Sequence, residues 1–320
     1  MNDSTAIFFA GNDTGVNSEA EVLAEARFAL VGLGWQLAMR AQNHSHLEAL
    51  EAQSAAAIKA ANPAARVLVT RENEVALADW DLQKAVMGAE QVAADWWLRL
   101  DDGSLANASW HAPSGALPLG KLWYNLSTPA MAAWWKETWI ARPLLDANID
   151  GVYWDCSCGA PKNLTNYTRE NADGQRVFDE AVNATLASSK AFFTWFSTHS
   201  DPTIGNASSC AAAMRDAIAF GADPSRGTML FGLADGTLRG DIITPLAAFL
   251  VTRGLYAYLA YPTAVYNIAS KMQWRHELEL DFGAPLGLAS EVAPGVFVRA
   301  FSHATATLNC SSLSGAILLN

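Results

Sequence analysis

The chain has 320 residues, 51% of them hydrophobic and 17% charged, which is typical of a globular protein and not of a disordered, collagen-like or heptad-repeat chain. Its formal net charge of −11, with no basic run, offers no electrostatic attraction to a phosphate backbone, so nucleic acid is not expected as a partner. The longest apolar region, residues 246–261, is interrupted by Arg253 and Gly254, so no membrane span is predicted.

Short apolar runs alternate with helical stretches along the chain. Nearly continuous apolar runs predict strands buried on both faces, as in a parallel sheet, at 28–35, 66–71, 122–126, 151–156, 191–197, 228–234 and 255–261. Helical periodicity lies between them, at 47–61, 81–94, 129–147, 175–188, 209–221, 241–253 and 263–272. Repeated right-handed βα units close most readily into a (β/α)8 TIM-type barrel, which is the α/β fold we predict. An open doubly wound sheet is the alternative, weakened because no G-x-G-x-x-G follows a strand.

The two ends of the chain depart from the βα pattern. Residues 1–27 form an N-terminal segment before the first predicted strand. Residues 282–320 begin with the loop-like FGAPLGLASEVAPG and continue with the alternating runs VFVRAF and ATATLN. These runs predict a short C-terminal antiparallel β extension that seals the barrel. No linker or charge run divides the chain, so we predict a single domain over 1–320.

Glycosylation motifs and cysteines indicate the compartment. Asn-x-Ser/Thr triplets are far more frequent than the roughly two expected by chance; they begin at Asn2, Asn12, Asn43, Asn107, Asn125, Asn163, Asn166, Asn183, Asn206 and Asn309. This excess predicts a secreted glycoprotein, and an unglycosylated polar surface is the alternative. The N-terminus has no basic region followed by an apolar core, so we expect that a signal was removed or that the chain is a fragment.

The four cysteines suit an oxidising compartment with one or two disulfides. A bond between Cys156 and Cys158 would be strained, so we expect one of these two to pair with Cys210 or Cys310. No zinc-ligand spacing occurs near the cysteines, and we predict no metal.

Two acidic residues follow predicted strands, where the catalytic groups of a barrel lie. Asp155 ends the fourth strand in GVYWDCSCG, and Asp235 follows the sixth in LFGLADG. Either residue also fits a turn. Two carboxylates at a suitable separation are what glycoside hydrolysis requires, and the chain has no G-x-S-x-G, P-loop or H-E-x-x-H motif. The pattern therefore favours a glycosidase that needs no cofactor.

The two carboxylates require different environments. Asp155 precedes a turn of small residues whose backbone N–H groups favour the carboxylate, so we predict it to be the nucleophile or the base that activates water. The acid must hold its proton near neutrality, and Asp235, after an apolar run, is the first choice. Glu72 ranks below Asp235, because the neighbouring Arg71 would lower the pKa of Glu72 and make it a poorer proton donor. The third choice is Glu277 or Asp281.

Aromatic residues at strand ends suit a sugar substrate, because indole faces stack on pyranose rings. The predicted substrate-binding residues are Trp35, Trp123, Trp154, Trp195 and Tyr261. Arg71 and Glu72 join them, since an arginine followed by Glu72 and Glu74 either orients a sugar hydroxyl or forms an ion pair. The remaining tryptophans that we considered, Trp96, Trp97, Trp134, Trp135 and Trp139, are expected to pack in the core or between helices.

These segments resemble a known group of proteins. A first strand ending in GW, then LLDANIDGVYWD, FGLADG and the closing LELDFGAPLG…GVFVRAFSHATATLN are similar to the hypothetical glycosyl hydrolase families, uncharacterised TIM barrels allied to glycosidases. The resemblance implies a barrel with a carbohydrate substrate and a catalytic or substrate-binding Asp155. The acids after strands four and six are more distantly similar to α-galactosidase-type barrels, which implies Asp155 as nucleophile and Asp235 as acid, although the pattern around Asp235 departs from that group.

Two functions follow from these observations. The first is a glycoside hydrolase that acts on an oligo- or polysaccharide through a carboxylate pair at the C-terminal face of the barrel. The alternative is a non-catalytic carbohydrate-binding barrel of the secretory pathway or cell surface, which keeps the aromatic platform but needs no paired carboxylates.

Overall fold

The computed structural model describes residues 7–10, 15–34, 46–72, 74–76, 81–87, 94–106, 122–155, 167–194, 198–200, 206–222, 229–232, 242–254, 257–260 and 275–320. The strands are β1 (Ile7–Ala10), β2 (Leu30–Leu33), β3 (Arg66–Glu72), β4 (Val75–Ala76), β5 (Leu122–Trp123), β6 (Gly151–Asp155), β7 (Ala191–Thr194), β8 (Thr198–Ser200), β9 (Met229–Gly232), β10 (Ala257–Ala260), β11 (Ser290–Ala293), β12 (Val296–Ala300), β13 (Ala304–Asn309) and β14 (Ser314–Leu319).

The α-helices are α1 (Glu19–Glu25), α2 (Leu47–Ala61), α3 (Asp81–Val86), α4 (Pro129–Trp134), α5 (Tyr167–Ala187), α6 (Ala207–Gly221) and α7 (Ile243–Thr252). Helix α4 continues as a π-helical segment, Trp135–Ala141, and a 3-10 turn, Pro143–Leu145. A further 3-10 turn spans His276–Glu279. The predicted helix at 263–272 lies outside the described residues.

The chain divides into two compact units. One comprises residues 1–10, 23–31 and 194–320, and the other residues 11–22 and 32–193. We call them the C-terminal unit and the central unit. The predicted single domain over 1–320 stays a prediction.

In the central unit, strand β6 lies between β3 and β7. Strand β3 pairs in parallel with β6, from Leu68 opposite Gly151 to Glu72 opposite Asp155. A Cβ atom on Gly151 would lie 2.1 Å from the carbonyl oxygen of Ala191 in β7, so close approach of the strands requires glycine here. The nearly continuous burial of β3 confirms that this strand is covered on both faces, as its apolar run predicts.

The C-terminal unit has a second group of parallel strands, in which β1 pairs with β10, β10 with β9 and β9 with β8. The α/β class with parallel strands is therefore confirmed, whereas closure of eight strands into a barrel stays a prediction. Strands β1 and β8 and helix α1 were not predicted from the sequence, because runs of three to seven residues show too little periodicity.

The strand predicted at 122–126 does not belong to the predicted parallel pattern. Only Leu122–Trp123 is a strand, and it pairs antiparallel with Val75–Ala76. The backbone of Tyr124 continues this arrangement by donating to Glu74 O at 3.0 Å and by bridging antiparallel to Trp97. An aromatic composition predicts extended backbone but carries no information about the direction of the partner strand.

The C-terminal extension is antiparallel, as predicted, but larger than a hairpin. Strands β11 to β14 form one four-stranded sheet in sequence order. Strand β13 alternates between buried and half-buried residues, and its sheet packs against the almost fully buried helix α7. Gly315 N donates to Thr244 Oγ1 at 3.0 Å in this contact. The expectation that the extension seals a barrel stays a prediction.

The disulfide joins Cys210 to Cys310, with the two Cα atoms 5.5 Å apart. The expectation that Cys156 or Cys158 pairs with one of these residues is wrong, because Cys210 and Cys310 pair with each other. Cys156 and Cys158 lie outside the described residues. The bond ties helix α6 to the residue after β13, which sequence spacing alone does not specify.

Candidate functional site

Two acidic residues lie side by side at the carboxyl edge of the central unit. Glu72 ends β3 and Asp155 ends β6, and their Cα atoms are partners in the parallel register. Neighbouring strands lie about 4.8 Å apart, so the two backbones are adjacent where both strands end. Of Asp155 and Trp154 the structure describes the backbone alone. The register thus brings together two of the predicted site residues, Glu72 and Asp155.

Arg71 faces away from Glu72, because successive side chains of a strand point to opposite faces. Its Nη1 and Nη2 donate to the two carboxylate oxygens of Glu51 in α2, at 2.8 and 2.9 Å. The exposed fractions of these side chains are 0% and 1%. The ion-pair alternative therefore describes Arg71, with Glu51 as its partner in place of Glu72 or Glu74. A fully buried side chain offers no surface to a sugar.

Trp139 connects this ion pair to the backbone of Glu72. The guanidinium carbon of Arg71 lies 4.6 Å from the centroid of the Trp139 ring, and its Nε donates to Trp139 O at 3.2 Å. The indole Nε1 in turn donates to the carbonyl oxygen of Glu72 at 3.0 Å. Trp139 lies in the π-helical segment after α4, a rare conformation that is frequent at functional sites. Helix α2, strand β3 and this segment together fix the position of Glu72.

A buried tyrosine completes the described part of the site. Gln83 Nε2 in α3 donates to Tyr124 Oη, and the Tyr124 ring stacks on Trp97 with centroids 5.6 Å apart. Burial raises the pKa of Tyr124 well above its usual value, and the negative charge of Glu72 raises it further. The phenol therefore keeps its proton near Glu72 at any physiological pH.

Sequence reasoning missed Glu51, Gln83 and Tyr124 as parts of this arrangement. A signal for Glu51 was present, since the residue falls on the same helical stripe as Leu47, Leu50 and Ile58. A charge on an apolar stripe indicates a buried partner. No comparable signal identifies Gln83 or Tyr124, whose proximity depends on the pairing of β4 with β5.

Several predicted site residues are not tested by the described structure. Asp235, Trp35, Trp195 and Tyr261 lie outside the described residues. Trp123 is 5% exposed in β5, so its role in sugar binding stays a prediction. Trp97, Trp135 and Trp139 are at most 1% exposed, which confirms their expected packing in the core.

The third-ranked acid candidates lie in the C-terminal unit. Arg275 Nη2 donates to Glu277 Oε1 at 2.8 Å, and this bond lowers the pKa of Glu277. A carboxyl with a lowered pKa is a poor proton donor near neutrality. Asp281 accepts from Gly283 N at 3.0 Å, and its Oδ2 lies 3.0 Å from His303 Nδ1. These contacts give Asp281 a structural role in the turn that precedes the C-terminal sheet.

Within the described part of the chain, no group of three or more His, Cys, Asp or Glu side chains is arranged to hold a metal ion. Among its helices, none combines the length and the apolar character needed to cross a membrane.

Solved structures with a similar fold include the cyclic alpha-maltosyl-(1→6)-maltose hydrolase from Arthrobacter globiformis. Its complex with maltose matches at 12% identity with a TM-score of 0.57, over 98% of this chain and 99% of that chain. Its complex with cyclic alpha-maltosyl-(1→6)-maltose matches at 12% identity with a TM-score of 0.54, over 100% and 99%.

A GH36 alpha-galactosidase from Geobacillus stearothermophilus matches at 13% identity with a TM-score of 0.47, over 96% of this chain and 47% of that chain. No protein-family model and no curated protein matches the sequence. The Arthrobacter hydrolase structures share the fold of this chain, so the predicted resemblance to glycosyl hydrolases is confirmed at the level of the fold.

Proposed function

We propose that the protein is a glycoside hydrolase that acts on an oligo- or polysaccharide at the carboxyl edge of β3 and β6. The observation that carries this proposal is the register that pairs Glu72 with Asp155 at the ends of two parallel strands. Catalytic groups of α/β barrels lie at this edge, and glycoside hydrolysis uses two carboxylates about 5 to 10 Å apart. The fold shared with a maltose-binding hydrolase supports the same reaction class.

Asp155 is the nucleophile, or the base that activates water, in this proposal. Two residues compete for the role of acid. Asp235 remains the first choice, because it follows an apolar run in the sequence. Glu72 gains support, because Arg71, which argued against it, is bonded to Glu51 on the other face of β3. Glu72 is also only 5% exposed, and shielding from water is one requirement for a carboxyl that donates a proton.

Stacking against a sugar ring is proposed for the aromatic residues at strand ends: Trp35, Trp123, Trp154, Trp195 and Tyr261. We replace Arg71 in this set by a positioning role. Its bonds to Glu51 and Trp139 hold the end of β3, and Trp139 holds the carbonyl of Glu72. The proposed fold around this edge is a closed (β/α)8 barrel.

The test is release of reducing ends from a panel of α- and β-linked oligosaccharides, with maltose-containing and galactose-containing members. The proteins are made in a host without N-glycosylation, because Asp155→Asn creates an Asn-x-Ser triplet. The wild type should hydrolyse at least one substrate, and Asp155→Asn should lower the rate by about 100-fold or more, the effect typical of losing a catalytic carboxyl. Asp179→Asn is the matched control, because Asp179 is exposed on α5 and bonds only to Gln175 among the described residues. Equal rates for the wild type and Asp155→Asn would overturn the proposal.

Substrates with activated leaving groups discriminate between the two acids. A nitrophenyl glycoside needs little protonation when its bond breaks, so loss of the acid should affect it much less than the natural linkage. We expect either Asp235→Asn or Glu72→Gln to show this selective loss. A variant whose rate falls equally on both substrates has not lost the acid.

The carbohydrate-binding alternative is favoured by one outcome only. In this outcome, calorimetry shows that the wild type binds an oligosaccharide, and no product is released from that oligosaccharide over days. The protein would then be a binding module. Retained binding by Asp155→Asn would then be expected, because stacking aromatics supply the affinity.

We also propose that the protein passes through the secretory pathway and carries N-linked glycans. The excess of Asn-x-Ser/Thr triplets and the disulfide between Cys210 and Cys310 support this location, since disulfides persist in oxidising compartments. Susceptibility to an N-glycan-cleaving amidase after expression in a eukaryotic secretory host tests it.

A further inference from the structure

Four of the glycosylation motifs have their Asn within the described residues, and their environments differ. Asn125 is half-buried between β5 and α4, Asn183 is exposed in the middle of α5, Asn206 is exposed before α6, and Asn309 is half-buried at the end of β13. An N-linked glycan occupies the amide nitrogen of Asn. The folded protein therefore accommodates a glycan only where this nitrogen is free and faces outward.

Asn125 does not meet this condition. Its Nδ2 donates to the carbonyl oxygen of Asp95 at 2.9 Å, and its Oδ1 is buried. A glycan replaces one of the two hydrogens on Nδ2, so it would place a sugar beside this bond, where the segment around Asp95 packs. The folded chain therefore disfavours a glycan at Asn125.

Asn206 is exposed and Asn309 is half-buried, and the hydrogen bonds of both side chains differ from those of Asn125. Asn206 Oδ1 accepts from Ser208 N at 3.1 Å and Ser209 N at 3.0 Å, which caps α6. Asn309 Oδ1 accepts from Ser311 N at 2.9 Å. In both residues the amide oxygen makes the local bonds, and within the described part of the chain the nitrogen makes none. The oxygen keeps these bonds after modification, because a glycosylated amide retains its carbonyl.

From this contrast we infer that Asn206 and Asn309 carry N-linked glycans and that Asn125 does not; the inference rests on the proposed passage through the secretory pathway. The reaction joins Nδ2 to the anomeric carbon of an oligosaccharide held on a polyprenyl pyrophosphate. The bond from that carbon to the pyrophosphate oxygen breaks, the lipid pyrophosphate leaves, and Nδ2 loses one proton. Asn183, which lies inside a helix, is not part of the inference.

The two glycans flank one structural bond. Asn309 is adjacent to Cys310, and Asn206 lies one helical turn before Cys210, whose Cα is 5.5 Å from that of Cys310. The two Asn Cα atoms are therefore within about 15 Å of each other. Both sugars therefore lie close to the disulfide that links α6 to the C-terminal sheet.

Site-resolved mass spectrometry tests this inference on the full chain expressed with a cleavable export signal in a eukaryotic host. Amidase release in ¹⁸O-water marks each formerly glycosylated Asn. We expect the label at Asn206 and Asn309 and none at Asn125. Label at Asn125 in the folded, secreted protein, or its absence from Asn206 or Asn309 while other sites carry it, overturns the inference alone. Label at no Asn overturns the inference and the proposed export together, and leaves the hydrolase proposal untouched.

Serine variants remove the glycosylation motifs without changing the hydrogen bonds of the two Asn side chains. Ser208→Ala and Ser311→Ala destroy the motifs but keep both Asn residues and the backbone N–H groups that bond to them. Each should remove one glycan from the mass of the intact protein. Ser312→Ala, one residue beyond a motif, should remove none. Retention of the full glycan mass in Ser208→Ala or Ser311→Ala would contradict the assignment.

Discussion

The carboxyl edge of the central unit and the C-terminal sheet are held together by opposite means. At the edge, the Arg71–Glu51 pair is almost completely excluded from water, and it is linked through Trp139 to the backbone of Glu72. In the C-terminal unit, a disulfide joins Cys210 to Cys310. The ion pair beside it, Arg215 with Glu291, has side chains that are 55% and 28% exposed.

This difference determines how each region tolerates substitution. A buried charge that loses its partner cannot be solvated, so the edge is sensitive to a change of a single polar group. An exposed charge that loses its partner is solvated by water, and the sheet still retains its covalent bond and its apolar face. The position of Glu72 is thus maintained by groups that do not belong to the proposed catalytic pair.

The largest effect is expected from Glu51→Ala, which leaves the Arg71 guanidinium buried without its carboxylate. We expect the free energy of unfolding to fall by about 3–5 kcal/mol, measured by urea denaturation. The control is the double variant Glu51→Leu with Arg71→Met, which removes both charges and should recover much of the loss. A double variant less stable than Glu51→Ala would show that the pair is not the cause.

Loss of the disulfide should follow in size. The bond closes a loop with a sequence separation of 100, so the variant with Ser at both Cys210 and Cys310 should lose about 2–5 kcal/mol, mainly through a less restricted unfolded chain. Thermal unfolding of the wild type under reducing conditions should show the same loss. A glycosidase rate that stays unchanged in the folded variant would support the separation of the two regions.

Trp139→Phe should have a smaller effect on stability and a selective effect on the site. The change keeps an aromatic ring beside Arg71 but removes the N–H that donates to Glu72 O. The loss should be about 1–2 kcal/mol. On a hydrolysed substrate we expect kcat to fall while KM changes little, because Glu72 is displaced and not removed. A change in KM alone would contradict a positioning role.

The smallest effect concerns pH and the exposed pair. The bonds from Arg215 and then Gly295 N lower the pKa of Glu291 to about 2, from an ordinary value of 4.5. A depressed pKa in the folded state stabilises the protein above pH 4.5, and this contribution is lost as the pH falls towards 2. The difference in Tm between the wild type and Glu291→Gln should therefore narrow from pH 6 to pH 3. A constant difference would show that ionisation of Glu291 plays no part.

Sequence patterns predicted those parts of the fold that local periodicity determines. Helix α2 has the predicted bounds, 47–61, because its apolar stripe repeats over four turns. Strand β13 shows the alternation that its sequence indicates. The end of β6 at Asp155 was also predicted correctly, and with it one member of the proposed catalytic pair.

Contacts between distant segments were not predictable in the same way. The pairing of Glu72 with Asp155 depends on the register of two strands, and composition does not set that register. The Cys210–Cys310 bond and the antiparallel direction of β5 likewise depend on how the chain returns on itself. Arg71 is next to Glu72 in sequence and was expected to affect its pKa. Because side chains alternate along a strand, Arg71 lies on the opposite face and pairs with Glu51.

The central claim is that Glu72 and Asp155 act in one site, and a double-mutant cycle on the hydrolysis rate tests it most directly. Residues that act as a unit give strongly non-additive losses. We predict that Glu72→Gln and Asp155→Asn each lower kcat/KM by about 100-fold or more, and that the double variant is no slower than the worse single one by more than a few-fold. A Glu72→Gln variant with the wild-type rate, or losses that multiply in full, would contradict the account.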